Sequence, residues 1–157
     1  MLDLKFMAAT DPHFLKPTAF EALFNRALGV LVGVGLGPKD YYLLEVRGRK
    51  SGRLYATPVS IVDYAGQRYV VAPRGTTQWV RNARAVPRIT LRAGSKRDQF
   101  KLHEIPADER APILKSYLAR YSKYVQRYFQ VPNGAPESEF AAIADGYPVF
   151  ELIPSTS

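Results

Sequence analysis

The sequence predicts an α+β fold, a small antiparallel barrel accompanied by helices. Short aromatic and aliphatic runs follow one another through the middle of the chain, separated by tight turns such as Ala65-Gly66 and Gly94-Ser95. Helical spacing of apolar residues is confined to one stretch before them, one short stretch among them and one long stretch after them. The length of 157 residues, with no internal repeat and no linker, suits one domain with its own core. Several antiparallel strands with few helices make such a barrel.

The elements follow in order. Residues 1–17 read as irregular, broken by Pro12 and Pro17. Thr18 and Glu21 have the spacing of a capping box, and Phe20, Leu23, Phe24, Ala27, Leu28 and Leu31 then recur at helical steps. This gives a helix over 18–32, ended by Gly33, Gly35, Gly37 and Pro38. The barrel core is expected over 40–153. Tyr41 to Arg47 reads as a strand and Arg49 to Gly52 as a turn. Leu54 to Tyr64 is a second strand, in which Pro58 implies an edge or a bulge. Gln67 to Ala72 returns as a third. Thr76 or Thr77 can cap a short helix with Trp79, Val80 and Ala83 on one side. Ile89 to Ala93 pairs with Gln99 to Ile105. Ala107 to Phe129 is helical, with Ile113, Leu114, Tyr117, Leu118, Tyr121 and Tyr124 at three- and four-residue steps. Pro112 stands early, where a helix tolerates it. Phe140 to Ala144 makes a short turn of helix and Tyr147 to Ile153 the last strand.

Composition limits the chemistry. There is no cysteine, which excludes disulfides, thiol catalysis and thiolate metal sites. Two histidines argue against a histidine metal centre, and no metal is expected. The net charge of +8 favours anionic partners. No nucleic-acid motif accompanies it, so nucleic acid is not the expected partner. The start of the chain lacks a secretory pattern, and the apolar stretch from Ala27 to Leu36 falls short of the roughly 20 residues of a membrane span. The expected location is cytoplasmic, with peripheral membrane contact through that stretch left open.

Two segments are suited to an anion. Gly48 to Pro58 (GRKSGRLYATP) gathers Arg49, Lys50 and Arg53 around Ser51 and two glycines. It lacks the spacing of a nucleotide phosphate loop, and a basic hairpin tip in water is the competing reading. Ala72 to Asn82 (APRGTTQWVRN) runs from a strand end through Pro73, Arg74 and Gly75 to two threonines and a helix start. A helix start presents free amides to an anion. An ordinary strand-to-helix corner is the competing reading, and core packing is the competing reading for Trp79.

Together these segments resemble the deazaflavin-dependent nitroreductase family, also described as quinone reductases. GRKSG at 48–52, Thr57-Pro58, Arg74-Gly75, Trp79-Val80-Arg81-Asn82 and the closing Pro-Val-Phe-Glu-Leu at 148–152 carry the resemblance, which spans about residues 40 to 153. It implies a split β-barrel of the FMN-binding type, with about six or seven strands and helices at both ends. It also implies an oxidoreductase that transfers a hydride from reduced coenzyme F420 to a quinone, nitro compound or other electron-poor small molecule. The implied cofactor contacts are Arg49, Lys50, Ser51, Gly52, Arg53, Tyr55, Thr57, Pro58, Val59, Ala72, Pro73, Arg74, Gly75, Thr76, Thr77, Trp79 and Asn82. Tyr121, Tyr124 and Ser60 would orient the acceptor or donate a proton. The chain departs from the family at Tyr55, where a basic residue usually stands, and at Arg127, where a third tyrosine would fall. A helix face packed on the barrel is the other reading of the tyrosines. An FMN-binding reductase and a non-enzymatic carrier of apolar ligands remain alternatives on the same fold, as monomer or homodimer.

Overall fold

The computed structural model describes residues 41–155. The expected irregular segment 1–17 and helix 18–32, with the membrane contact assigned to it, lie outside the described residues. Six strands form a closed, wholly antiparallel barrel: β1 (Tyr41–Arg47), β2 (Leu54–Tyr64), β3 (Gln67–Val71), β4 (Arg88–Ala93), β5 (Lys96–Glu104) and β6 (Val149–Pro154). Their order around the barrel is β1-β2-β3-β6-β5-β4. Helix α1 (Gln78–Ala85) follows β3, and α2 (Ala111–Val125) and α3 (Glu137–Ile143) separate β5 from β6.

Alternation along the strands divides the apolar residues between two cores. Leu44, Val46, Val59, Ile61, Val70, Leu91, Phe100, Leu102, Phe150 and Leu152 fill the barrel, joined by Val80 and Ala83 of α1. Their neighbours Val62, Tyr69, Val71 and Val149 point outward and meet Leu114, Tyr117, Leu118 and Tyr121 of α2 and Phe140 of α3. Phe129 stacks flat on Tyr147, with ring centres 4.5 Å apart. The stripe on α2 follows the expected spacing up to Tyr121 and then departs from it. Tyr121 leaves helical geometry (φ −118°, ψ 19°), so Val125 is buried where Tyr124 was expected, and Tyr124 is 48% exposed.

Proline 58 does not interrupt β2. Residues Leu54 to Ser60 pair with β1, and only Ile61 to Tyr64 pair with β3. One edge of the first half of β2 therefore has no strand partner among the described residues, and a residue without an N–H costs no ladder bond on such an edge. Strand β5 begins at Lys96, earlier than expected, because the register extends to Ala93 opposite Lys96. The helix expected from Ala107 begins instead with a 3-10 turn at Ala107–Glu109.

Arg110 joins the helical layer to the barrel. It is 7% exposed, and its guanidinium donates to the carbonyls of Ile105 (2.8 Å) and Ala144 (2.9 Å) and to Glu104 Oε2 (3.2 Å). Arg84 meets the same carboxylate from the surface through two bonds of 2.9 and 2.8 Å. Removing the buried cation strands two carbonyls and a carboxylate, whereas the exposed pair is screened by water. Arg110→Met is expected to lower stability by about 3 kcal/mol or more in urea unfolding, and Arg84→Met by about 1 kcal/mol or less.

Candidate active site

A cleft of about 410 Å³ opens where β2 and β3 part company. Thr57, Pro58, Val59 and Ser60 of β2 form one side, and Val71 to Gly75, Thr77 and Trp79 form the floor. Tyr117 and the run Ser122–Tyr128 form the roof, with Tyr41 at one end. The floor follows from the local sequence. Gly75 has φ +86°, a conformation in which a Cβ would be strained, and it turns the chain out of β3 into α1. Thr77 takes the N-cap position of α1, yet its hydroxyl makes no capping bond. Instead Thr77 Oγ1 is buried with no hydrogen-bond partner among the described residues, as is Nη1 of Arg74. Two unsatisfied donors in one cleft wall are costly unless a ligand accepts from them. Among the described residues the lining includes the cations Arg74, Lys123 and Arg127 and no carboxylate.

The opposite end is built from hydroxyls. Tyr41 lies directly across from Ser60 in the β1–β2 register. Tyr117 of α2 also borders the cleft, and Ser60 is near enough to both phenols to act on their ionisation. Burial raises the pKa of both tyrosines, with the neighbouring Ser60 hydroxyl opposing the rise in each. The three hydroxyls thus remain protonated donors at neutral pH.

The structure sorts the residues expected from sequence. Thr57, Pro58, Val59, Ser60, Ala72, Pro73, Arg74, Gly75, Thr77, Trp79 and Tyr124 all border the cleft. Trp79 borders the cleft and also packs on Phe150, with ring centres 5.7 Å apart. Thr76 stands between lining residues without bordering the cleft itself. Tyr121 is turned away: its hydroxyl donates to the Ile61 carbonyl, pinning the break in α2 to β2. Arg49, Lys50, Ser51, Gly52, Arg53, Tyr55 and Asn82 lie outside the lining. Arg49 is held by α1, donating to Asn82 Oδ1 from its backbone (3.1 Å) and Nη1 (2.7 Å), and to Gln78 Oε1 (3.1 Å). The GRKSG turn is closed on itself by Gly48 N to the Arg53 carbonyl (2.7 Å). Tyr55 covers it, so that a Cβ on Gly48 would come within 2.7 Å of the ring. Arg49 and Asn82 thus act on the fold by fastening the loop to α1. Sequence reasoning missed Tyr41, Lys123 and the functional side of Tyr117. The signal for Tyr117 was its position four residues before Tyr121 on one helix face.

A closed antiparallel barrel with an uncovered strand edge and an anion-suited cleft defines a class of small ligand-binding barrels. Residues 19–135 match the model of the F420H(2)-dependent quinone reductase family, and the chain belongs to that family. It is an F420-dependent oxidoreductase, and the split barrel expected from sequence is the fold observed. Among solved structures it is similar to an F420-H2 dependent reductase, at 22% identity over 73% of this chain and 94% of that one (TM-score 0.49). It is also similar to a domain-swapped dimer, at 22% identity over 85% and 92% (TM-score 0.53). A protein of unknown function from Agrobacterium tumefaciens shares 20% identity over 90% and 58% (TM-score 0.55). No helix among the described residues is long and apolar enough to cross a membrane.

The tyrosines make the fold sensitive to alkali. Burial raises Tyr41 and Tyr117, and pushes Tyr147 up to about 12. An unfolded tyrosine loses its proton near pH 10, while the folded one keeps it, so the unfolded state binds fewer protons above that pH. The stabilisation is complete below pH 10 and is lost as pH rises through the folded values. Urea midpoints are expected to be unaffected by these groups at pH 7–9 and to fall above pH 10, with a shallower fall in Tyr117→Phe.

Proposed function

We propose that the chain transfers a hydride equivalent from reduced F420 to a quinone, nitro compound or similar electron-poor acceptor bound under the α2 roof. The observation that carries this reading is the cleft itself, with unsatisfied donors on Arg74 and Thr77 in one wall and the Ser60 hydroxyl cluster at its end. F420 has an anionic phosphate and oligoglutamate tail, and those donors are chemically fitted to it. Arg74, Gly75, Thr76 and Thr77 would hold the phosphate. Thr57 to Val59, Ala72, Pro73 and Trp79 would flank the ring. Lys50 and Arg53, exposed on the GRKSG turn, would attract the tail. When bound, reduced F420 supplies two electrons and one proton together.

The protein's own residues do the rest. A quinone that accepts a hydride equivalent develops negative charge on oxygen and takes one further proton to become the hydroquinone. Ser60, Tyr41 and Tyr117 present fixed O–H donors that stabilise such an oxygen, and the proton follows from solvent through the same cluster. Tyr124 would lie against the acceptor ring. Tyr121 serves as a positioning residue through its bond to Ile61. The likeness to a domain-swapped dimer supports a homodimer, which sedimentation would read directly.

The test is a fluorescence titration of the purified protein with F420 beside FMN. F420 is expected to bind, and Arg74→Ala to weaken it about 10-fold, the loss of one charge-assisted contact. Preference for FMN would transfer the reading to a flavin reductase, and binding of neither would favour an apolar-ligand carrier. Independently, Tyr117→Phe and Ser60→Ala are expected to lower kcat about 10-fold or more with F420 affinity little changed. Unaltered turnover in both would remove the hydroxyl cluster from the mechanism.

A further inference from the structure

One helix joins the two segments that the sequence marks as suited to an anion. Helix α1 grows out of the cleft floor. Gly75 N–H donates to the Ala72 carbonyl (3.2 Å), Thr77 N–H to the Gly75 carbonyl (2.9 Å) and Arg81 N–H to the Thr77 carbonyl (3.1 Å). The corner that carries Arg74 and Thr77 is therefore continuous with the first turn of α1. The same helix grips the GRKSG turn. Gln78 and Asn82 stand four residues apart, as neighbours on one helix face. Both accept from Arg49: Nη1 donates to Gln78 Oε1 (3.1 Å) and Asn82 Oδ1 (2.7 Å), and the backbone N–H donates to Asn82 Oδ1 (3.1 Å). Asn82 is 5% exposed, so these bonds are shielded from water. The turn itself is the tip of the β1–β2 hairpin, whose pairing ends at Arg47 opposite Leu54. Gly48 N–H donates to the Arg53 carbonyl (2.7 Å) and Gly52 N–H to the Gly48 carbonyl (3.0 Å), so the tip is closed within itself.

We propose that Arg49, Gln78 and Asn82 are positioning residues, which fix the GRKSG turn relative to the Arg74–Thr77 floor and so set the affinity for an anionic chain running on from the group bound there. Lys50 and Arg53 ride on the turn and are exposed. A hairpin tip in water samples many positions unless something ties it down. A cation on a tip that is already fixed attracts an anion without first having to order the loop. The clasp to α1 does this from behind, since none of its three residues borders the cleft. Asn82 suits the task because one neutral carbonyl oxygen accepts from both the backbone and the side chain of Arg49, adding no charge beside the cations. Alanine at that position has no acceptor, and the backbone of the turn loses its bond to the helix.

The proposal rests on the reading of the cleft as the F420 site, with the oligoglutamate tail as the chain. Calorimetry on the full chain compares F420 with a form trimmed of its glutamates, and hydrogen exchange reads the Arg49 amide without ligand. In the wild type, full-length F420 is expected to bind about 10-fold tighter than the trimmed form, less so at high salt, and the Arg49 amide to exchange slowly. In Asn82→Ala the amide is expected to exchange as a free loop amide does, and the tail advantage to shrink to about 2-fold, with trimmed F420 bound as before. Gln78→Ala, which removes a single exposed bond, is expected to lower the advantage less and to leave the amide protected. Equal weakening of both forms in folded Asn82→Ala marks a direct contact or a general prop and overturns the proposal. So does a tail advantage that survives once the amide is freed, or its absence in the wild type when F420 binds. If no form of F420 binds, an oligoglutamate peptide decides. Salt-sensitive peptide binding that Asn82→Ala removes overturns the reductase reading and leaves the clasp standing; no peptide binding overturns both.

Discussion

Strand β2 has to serve two neighbours in succession, and the site depends on that constraint. Its first half belongs to β1 and its last four residues to β3. Between them the barrel leaves a strand edge uncovered, beside which β3 turns off through Gly75 into α1. A fully paired β2 would close the cleft with backbone hydrogen bonds and leave no edge for a ligand. Pro58 is compatible with this arrangement and would be unfavourable in a strand paired on both sides.

The second layer converts an edge into a cleft. Helix α2 packs on the outward side chains of β2, β3 and β6, so its position is set by the same alternation that fills the barrel. The bond from Tyr121 to the Ile61 carbonyl fastens the helix at its break, four residues after Tyr117 and three before Tyr124. Aromatic contacts join these residues: the rings of Tyr117 and Tyr121 lie 5.3 Å apart, and Tyr41 meets both Tyr121 and Tyr124 at 6.0 Å. The apolar bodies of these rings hold the roof, while Tyr41 and Tyr117 border the cleft on the side of Ser60. Packing and chemistry are thus two ends of the same side chains.

Charge is divided by role in a similar way. Arg110 and Arg49 are consumed by the fold, one beneath α2 and the other between the GRKSG turn and α1. Arg74 sits in the cleft wall with an N–H that has no acceptor among the described residues. Glu45, 7% exposed, draws in Arg97 at 3.0 Å and Arg92 at 3.5 Å on the far side of the barrel. The net charge of the chain therefore says less about ligand binding than the few cations that the fold leaves facing the cleft.

The strands, their order of appearance and the long helix were legible in the sequence because they rest on local periodicity and on turn residues. The same was true of the Ala72–Thr77 corner, since Gly75 and the threonines carry their geometry with them. The family pattern, too, could be read from GRKSG, Thr57-Pro58 and the Trp79–Asn82 helix. What only the tertiary structure decided was which polar groups are spent and which are spared. Arg49 and Asn82 are read from sequence as ligand contacts, and only the packing of the loop on α1 shows that Arg49 also donates to Asn82 Oδ1. Thr77 looks like a cap until its hydroxyl is found in the cleft wall. Tyr121 and Tyr117 share one helix face, yet the hydroxyl of Tyr121 goes to a backbone carbonyl while Tyr117 borders the cleft. A side chain's type and spacing are local properties of the chain; its hydrogen-bond partner is set by groups far away in sequence and is fixed only when the layers pack.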